Sequence, residues 1–570
     1  MLFRSYPQSE ISPQVFFNSE SDLELYTNSF YTYLPGNNIP TDDFSSDNVN
    51  VSGLDELVAG LRRTPSDAAS AGWTWTALYN INYFLEHYEK PSVPQEARNH
   101  YGGIARFFRA HFYFEKVKRF GDVPWYSKPL NVGDPDLFKA RDSRVLIIDS
   151  IKADLNFAIN NIRSEKTPGR VNRWAALALK SRVLLFEGTF RKYHPEFGLE
   201  SSADALLREA ADAADLFIRT SPYRLAQGDP NTVYLNLFAS ETPHPDEYIL
   251  TRLYGQDVNM AHPTNDIFTS ATRGNPGLTK SLIDSYLLSN GQPFSSLSNY
   301  QEMPYWEEVQ GRDPRLAQTI RTPGYTRIGA PETPLLPDYA NALTGYQNIK
   351  FVTTIGQANG YNPMPIFRYA EILLNYAEAL AELGGLTQPE ANRSINLLRD
   401  RVDMPRIMVN DITPDPQLED LYNVVDIPDV EPIILDPLIL EVRRERRVEL
   451  AMEGFRYYDL MRWKRGHLLA RTFYGAYYPN KGTFDLDGDG NDDVGVVDVR
   501  PSPPVSGVQY FVLGSDRALS EGDRGNIIIH PNITKVFDQK KDYLYPLPFN
   551  ELLLNRELEQ NPGWENIPER

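Results

Sequence analysis

The feature that most constrains this chain is the density of charge and aromatic rings between Ile439 and Gly466, ILEVRRERRVELAMEGFRYYDLMRWKRG. It reads as two consecutive helices with a break at Gly454. The first holds Glu441, Arg443, Arg444, Glu445, Arg446, Arg447 and Glu449; the second holds Arg456, Tyr457, Tyr458, Asp459, Arg462 and Trp463. Opposite charges three and four residues apart pair along a helix, and such pairs add little when exposed. Arginines set this closely among aromatics predict a partly buried polar network and a scaffold helix pair. The interleaved glutamates argue against a basic nucleic-acid face. His467 is the one histidine nearby, so the stretch offers no catalytic or metal-binding set.

Composition narrows the function. The 570 residues can bury a large core, and length alone would allow three or four domains. A net charge of −19 argues against DNA, RNA or an anionic membrane surface as the main partner. Cysteine is absent, which removes disulfides and thiol catalysis, and the eight histidines are not paired at metal-ligand spacing. No apolar run of about 18 residues predicts a membrane span, and no signal peptide is recognisable. With 33 Tyr, 28 Phe and 7 Trp, some rings should reach the surface, where aromatics serve recognition.

Along the chain, helices are predicted at 19–34, with Ser19 and Ser21 as caps, and from about Trp73 to Glu89. A long helix follows at 95–120, its stripe made by Ile104, Phe107, Phe108, His111 and Phe112 and its stop by GDVP at 121–124. Further helices are expected at 144–163, 172–190, 203–219, 366–384 and 388–402. Between about 220 and 365 periodicity dissolves, apart from a local helix at 305–320; long irregular segments on a rigid scaffold commonly carry binding. An acidic, proline-rich linker occupies 409–437. Four helical hairpins result, 95–163, 172–219, 366–402 and 437–470, with an Ala-rich patterning similar to tetratricopeptide repeats but without a regular period.

Four collinear segments carry a family resemblance: ARFFRAHFYFEKVKRFGDVPW at 105–125, FRYAEILLNYAEALAELGG at 367–385, ERRVELAMEGFRYYDLMRWKRG at 445–466 and YLYPLPFNELLLNRELEQNPGW at 543–564. With the N-terminal SEISPQVFFNSESDLELYTNSFY they resemble the SusD/RagB family, nutrient-binding lipoproteins of Bacteroidetes. The resemblance implies a mainly α, SusD-like fold. It comprises four tetratricopeptide-like hairpins plus a large irregular ligand-binding portion, in one domain over 1–570. Its N-terminal part would run to about 365 with the irregular insertion at 220–365, and its helical C-terminal part would cover 366–570. It also implies a cell-surface, outer-membrane protein anchored by lipid, with Met1 standing after a removed signal and lipid-bearing cysteine. Its partners would be an oligosaccharide or polysaccharide and a SusC-like TonB-dependent transporter, with no catalytic cofactor. The alternatives are an all-helical glycoside hydrolase, which needs two carboxylates across a cleft, a peptide-binding RagB-like uptake protein, and a helical-repeat adaptor.

Two sites are expected. Trp73 and Trp75 centre a ligand platform, because a sugar's C–H face stacks on indole while its hydroxyls need polar partners at the edge. Helical periodicity points Trp75 away from the face made by Leu78, Ile81, Phe84 and Leu85. The family pattern instead makes Trp75 scaffold and Trp73 the variable ligand residue, and is preferred. Asp42, Asp43 and Asp67 are the nearby polar candidates; Tyr305, Trp306 and Arg368 are further ones. Separately, Asp485, Asp487, Asp489 and Asp493, with a carbonyl from Asn491, form a DxDxDGxxD loop suited to structural calcium. Val496 stands where an EF-hand has its bidentate glutamate.

Overall fold

The computed structural model describes residues 16–354, 358–425 and 432–565; positions 426–431 of the expected linker lie outside the described residues. Its principal helices are α1 Glu20–Asn28, α2 Thr76–His87, α3 Gln95–Phe120, α4 Arg144–Asn161, α5 Arg173–Tyr193, α6 Ala203–Thr220, α7 Tyr369–Glu382, α8 Pro437–Glu449, α9 Arg456–Arg462 and α10 Phe549–Leu554. The chain forms two compact units. One comprises Met1–Leu34, Arg63–Val183 and Lys540–Arg570; the other comprises Pro35–Arg62 and Leu184–Gln539. Helix α5 begins in the first and ends in the second.

In the first unit α3 is the axis, with α1, α2 and α4 packed along it. Enclosure on several sides explains why α3 buries far more than one stripe: Ala97, Tyr101, Gly102, Gly103, Ala105, Tyr113, Phe114 and Val117 join the expected residues. Close approach needs the glycines, since a Cβ on Gly103 would meet Ile162 Cγ1 at 2.7 Å. At α1 the Ser19 hydroxyl accepts from the Asp22 N–H and the Asp22 carboxylate accepts from the Ser19 N–H, a reciprocal cap. The helix expected from Trp73 starts only at Thr76. Ala68–Ala71 forms its own turn, capped by Asp67 and closed by Gly72 in the left-handed region, so both tryptophans precede α2. The C-terminal segment returns to the end of α3: the Tyr545 N–H donates to the Arg119 carbonyl at 2.7 Å, and Asn561 Nδ2 donates to the carbonyls of Phe120 and Tyr545.

In the second unit α7 packs on α6 and α8. Residues 364–368, part of which was expected as helix, are instead a strand pairing antiparallel with Tyr248–Arg252, so α7 begins at Tyr369. Two expected helices are broken. Residues 388–402 divide into Gln388–Asn392 and Ile395–Asp400, and residues 305–320 into Tyr305–Glu308 and Pro314–Ala317, with Gly311 at φ 63° between the latter. The segment from 220 to 365 is irregular in hydrogen bonding but tightly packed. Phe268, Leu282, Ile283, Tyr286 and Tyr346 share one core with Val448, Met452, Tyr478, Val494 and Phe511. Strands not anticipated from sequence complete that core. Tyr474–Tyr478 pairs with Gly525–Ile529, and Val494–Val497 pairs with Gly482–Phe484 on one side and Gln509–Val512 on the other.

The charged run is more buried than expected: every residue from Ile439 to Glu449 is inside. Glu449 accepts from Arg368 at 2.7 Å, Arg401 at 2.7 Å and Arg315 at 3.0 Å. Asp47 accepts from Arg456 at 2.6 Å and from Arg447 at 3.1 Å; Asp459 accepts from Arg446 and Arg462. Arg443 donates to Glu382 and lies over the Trp463 and Tyr193 rings, at 4.4 Å and 5.0 Å from their centroids. The break at Gly454 is real, with φ 76°, and a Cβ there would meet the Ile39 carbonyl at 3.1 Å. Burial pushes the Glu449 carboxyl up, but the guanidiniums of Arg401, Arg368 and Arg315 outweigh it and hold it well below the usual carboxylate range.

Removing one member of such a set leaves the others charged and buried, which costs about 3–5 kcal/mol. E449A should lower the free energy of unfolding by that order in urea titrations at pH 7, whereas an exposed-pair control, R406A, should change it by less than about 1 kcal/mol. Because Glu449's folded pKa is depressed, its contribution is present above about pH 4.3 and is lost as pH falls below it.

Candidate functional site

A cavity of about 410 Å³ opens in the first unit where α2, the loop after Pro124 and α10 converge. Trp73 and Trp75 come from the segment just before α2 and Thr76, Leu78, Tyr79 and Asn82 from its start; Pro124, Tyr126, Lys128, Leu130 and Leu137 come from the loop; Glu551, Asn555 and Leu558 come from α10 and beyond. That loop must leave α3 at Gly121, whose φ is 73°, and Pro124 keeps it from rejoining a helix. It is then held at both faces. Asn82 Nδ2 donates to the Tyr126 carbonyl at 2.8 Å, the Tyr126 N–H donates to the Tyr113 hydroxyl at 2.6 Å, and the Trp125 N–H donates to Asp142 at 2.7 Å. Asn82 is in turn fixed by Arg109, which pairs with Asp154 at 2.7 Å. α10 is hung by backbone bonds from Phe549 and Asn550 to the carbonyls of Pro65 and Ser66.

The rings form an ordered wall. Trp73, only 3 % exposed, stands edge-on between Phe120 at 4.9 Å and Trp75 at 5.2 Å. Trp75 is half-buried and meets Tyr126 edge-on at 5.5 Å and Phe112 at 5.7 Å; Tyr79, 41 % exposed, lies one helical turn on. Phe112, expected within the α3 stripe, is half-buried because it supports Trp75. Behind Trp75 the Lys116 ammonium donates to the Gly72 carbonyl and lies 5.4 Å from the indole centroid; burial, with help from Arg119, pulls its pKa down to about 7. Burial pushes the Tyr126 phenol up to about 12, with the carboxylates of Asp142, Asp136 and Glu551 adding to it. Burial likewise pushes the Glu551 carboxyl up.

Of the expected platform, Trp73 and Trp75 therefore meet in one cavity, and in exposure they follow helical periodicity rather than the family pattern: Trp75 is the more open ring. Asp67 belongs to the same unit but serves as a cap, accepting from the Ser70 N–H at 3.0 Å and the Ser70 hydroxyl at 2.8 Å. The other candidates belong to the second unit. Tyr305 is fully buried and donates to the Arg321 carbonyl. Arg368 is buried with all five N–H groups taken, by Glu247, Glu449, Glu453 and the Glu449 carbonyl. Trp306 stacks on Phe484 at 5.7 Å. Asp42 accepts from Asn38 at 2.9 Å, and Asp43 is fully buried. Tyr79, Tyr126, Lys128 and Glu551 were not foreseen. The exposed aromatic at 79, one turn after Trp75, was the available signal; the others come from distant segments.

The acidic loop sits on the hairpin Gly482–Phe484 and Val494–Val497. One carboxylate oxygen each from Asp485, Asp487 and Asp493 lies within 4.8 Å of the others. Asp485 is oriented by the N–H groups of Gly488 at 2.6 Å and Gly490 at 2.8 Å, which draw its pKa down. Asp493 is pushed up, by burial first and then by Asp487 and Asp485. Asp489, also expected as a ligand, is not in that group, and its Oδ1 accepts from the Asn491 N–H at 2.8 Å.

A family model described as the SusD family matches residues 247–564, and one described as starch-binding, associating with the outer membrane, matches residues 7–185. Among curated proteins, SusD-like protein P38 of Formosa agariphila is 24 % identical over 479 residues, covering 80 % of this chain and 86 % of its own length. Among solved structures, a SusD-like protein of Bacteroides fragilis superposes with a TM-score of 0.70 at 20 % identity, over 98 % of this chain and all of that one. A SusD-like carbohydrate-binding protein of the same organism gives 0.69 at 22 % identity, over 96 % of this chain and all of that one. Among the described residues no helix is long and apolar enough to cross a membrane.

The placement of Asp43 has a consequence that can be measured. Its Oδ2 accepts the Met452 N–H at 2.6 Å, its Oδ1 has no hydrogen-bond partner among the described residues, and burial raises its pKa to about 7. The folded protein thus holds a proton there that the unfolded chain releases near pH 4. Its contribution to stability should be complete below about pH 4 and decline as pH rises to 7. D43N should reduce the downward slope of unfolding free energy between pH 5 and 7.5; an unchanged slope would assign the proton elsewhere.

Proposed function

The chain belongs to the SusD family of non-catalytic binding proteins, and from that membership we propose that it captures an oligosaccharide in the cavity of the first unit. The observation that carries this reading is the wall of Trp75, Tyr79 and Tyr126 around about 410 Å³ of space. Aromatic faces match the C–H face of a pyranose, and the volume suits a sugar unit or two of a longer chain. The cavity also sits on a rigid frame. Trp75 is braced by Phe112 and Lys116, and the loop is held by Asn82 and Tyr113, so little freedom is lost on binding.

The wider role follows from the family. The protein, in this reading, is a lipid-anchored outer-membrane protein exposed at the cell surface. It hands its ligand to a SusC-like TonB-dependent transporter, with the whole chain working as one SusD-like domain on four tetratricopeptide-like hairpins. The absence of a membrane-spanning helix among the described residues is compatible with such an anchor.

The loop of Asp485, Asp487 and Asp493 would hold calcium in a structural role. Three hard oxygens converge there, and Asp493 is lifted by burial first and then by repulsion from Asp487 and Asp485, which a cation relieves.

Two measurements test these readings. In calorimetry against the glycan that binds most tightly in an array, W75A should weaken affinity by about tenfold or more, roughly 1.4 kcal/mol. A change within about twofold would move the ligand elsewhere, and binding of peptides in place of glycans would favour the RagB-like alternative. For the loop, a chelator should lower the melting temperature by several degrees in the wild type and leave D485N unmoved. Equal melting temperatures with and without chelator would leave the loop an ordinary acidic turn.

A further inference from the structure

The polar lining of the cavity is unequal in what it can still bind. Asn82 is spent, with Nδ2 on the Tyr126 carbonyl and Oδ1 on Arg109 at 3.2 Å. Asn555 is spent too, with Nδ2 on the Lys139 carbonyl at 2.9 Å and Oδ1 on the Glu557 N–H at 3.0 Å. Lys128, the cation at this cavity, leans toward Asp136 at 3.5 Å, and Lys139 pairs with Asp142 at 2.5 Å. Glu551 differs from all of these. It lines the cavity from α10 and is half-buried. Among the described residues no donor bonds to its carboxylate and no cation comes within 4 Å.

A carboxylate offers about four acceptor sites and no donor. Left empty in an aromatic recess, those sites are satisfied only by what enters with the ligand. The surroundings sharpen the demand. Asp136 and Asp142, which act on Tyr126 together with Glu551, are offset by Lys128 and Lys139, so the unpaired charge among the lining residues is that of Glu551. Sugar hydroxyls or an ammonium group bring donors to Glu551. A carboxylate or sulfate on the same ring brings acceptors and a charge of the same sign, and like charges brought together in a desolvated site are rejected.

We propose that Glu551 is the specificity-determining residue of this cavity, selecting neutral and amino sugars and excluding uronate-bearing and sulfated ones. The assignment rests on the reading that the cavity binds glycan. Stacking on Trp75 and Tyr79 supplies attraction indifferent to ring charge, because every pyranose has a C–H face. Discrimination then falls to the one carboxylate lining the cavity, which has no partner among the described residues. Its position on a short helix tied by backbone bonds to Pro65 and Ser66 keeps it in place without a side-chain partner.

The test is an oligosaccharide array in which cello-, galacto- and xylo-oligosaccharides are present beside amino, C6-carboxylate and sulfated counterparts. It is probed with the wild type, E551Q and W75A, each first checked for an unchanged melting temperature. The wild type should retain neutral and amino members and hold the carboxylated and sulfated ones at least about tenfold more weakly. E551Q should weaken neutral members about tenfold, as expected for loss of a charged acceptor, and should shrink the gap to the acidic ones to about threefold or less. Tightest binding of acidic members by the wild type, or a gap that persists in E551Q, would overturn the assignment while leaving the cavity as the glycan site if W75A abolishes binding. If W75A binds as the wild type does, or if the wild type binds nothing on the array, the cavity reading fails and this assignment fails with it.

Discussion

The second unit depends on one unusual choice: a large set of guanidinium and carboxylate groups is kept in the interior, most of them paired with one another. Each charge carries a desolvation penalty of several kcal/mol, which only good geometry and complete hydrogen bonding offset. The geometry is good around Glu449, where three arginines from three distant segments converge, and the hydrogen bonding is complete at Arg368, whose fork is fully occupied. Such a set is intolerant of partial assembly. A helix that slid by one turn would strand buried charges, so the network fixes the register of α8 against α7, the Asp313–Arg315 turn and the Asp47 loop at once. Hydrophobic packing of the same volume would hold these elements together but would specify their positions less sharply.

The first unit uses a different physics. Its axis, α3, is enclosed by apolar contacts, and its buried ion pairing centres on a small group around Asp154 and Arg109, which reaches the loop through Asn82. Where α3 ends, backbone bonding capacity becomes free, and the C-terminal segment returns to take it up through Tyr545 and Asn561. The cavity is a by-product of that closure. Three segments that meet at a helix terminus cannot fill the space with regular structure, and the residues lining the gap are the rings of Trp75, Tyr79 and Tyr126. The same convergence leaves Glu551 without a partner among the described residues. Its helix is positioned by its backbone, so nothing required its side chain to be paired.

How far the sequence could be read differs between these two constructions. The charged run was legible as a buried scaffold, since seven charges within nine residues beside Trp463 and Tyr457 make no sense as a solvated face. The reading still underestimated its burial, because partners such as Arg315, Asp47 and Glu247 lie far off in the chain and carry no periodic signal. The same gap misplaced Arg368 and Tyr305. Both looked available for a ligand, and both are consumed by groups that only folding brings near. The start of α2 was misjudged by three residues because a capped turn at Ala68–Ala71 and Gly72 precedes it, and that displacement is what frees Trp75 from the helix.

The sequence by itself determined the helical periodicity of the scaffold, the pairing of two tryptophans among neighbouring rings, and the oxygen-rich loop at 485–493. Each is a local property, set by side-chain spacing along a helix or within a turn. Only the tertiary structure decided which tryptophan is open, that Tyr126 and Glu551 complete the cavity, and that Asp485, Asp487 and Asp493 are the aspartates whose oxygens converge. Those outcomes depend on which distant backbone groups are satisfied by which segment and on how much water each side chain loses. Neither quantity has a value until the chain has closed on itself.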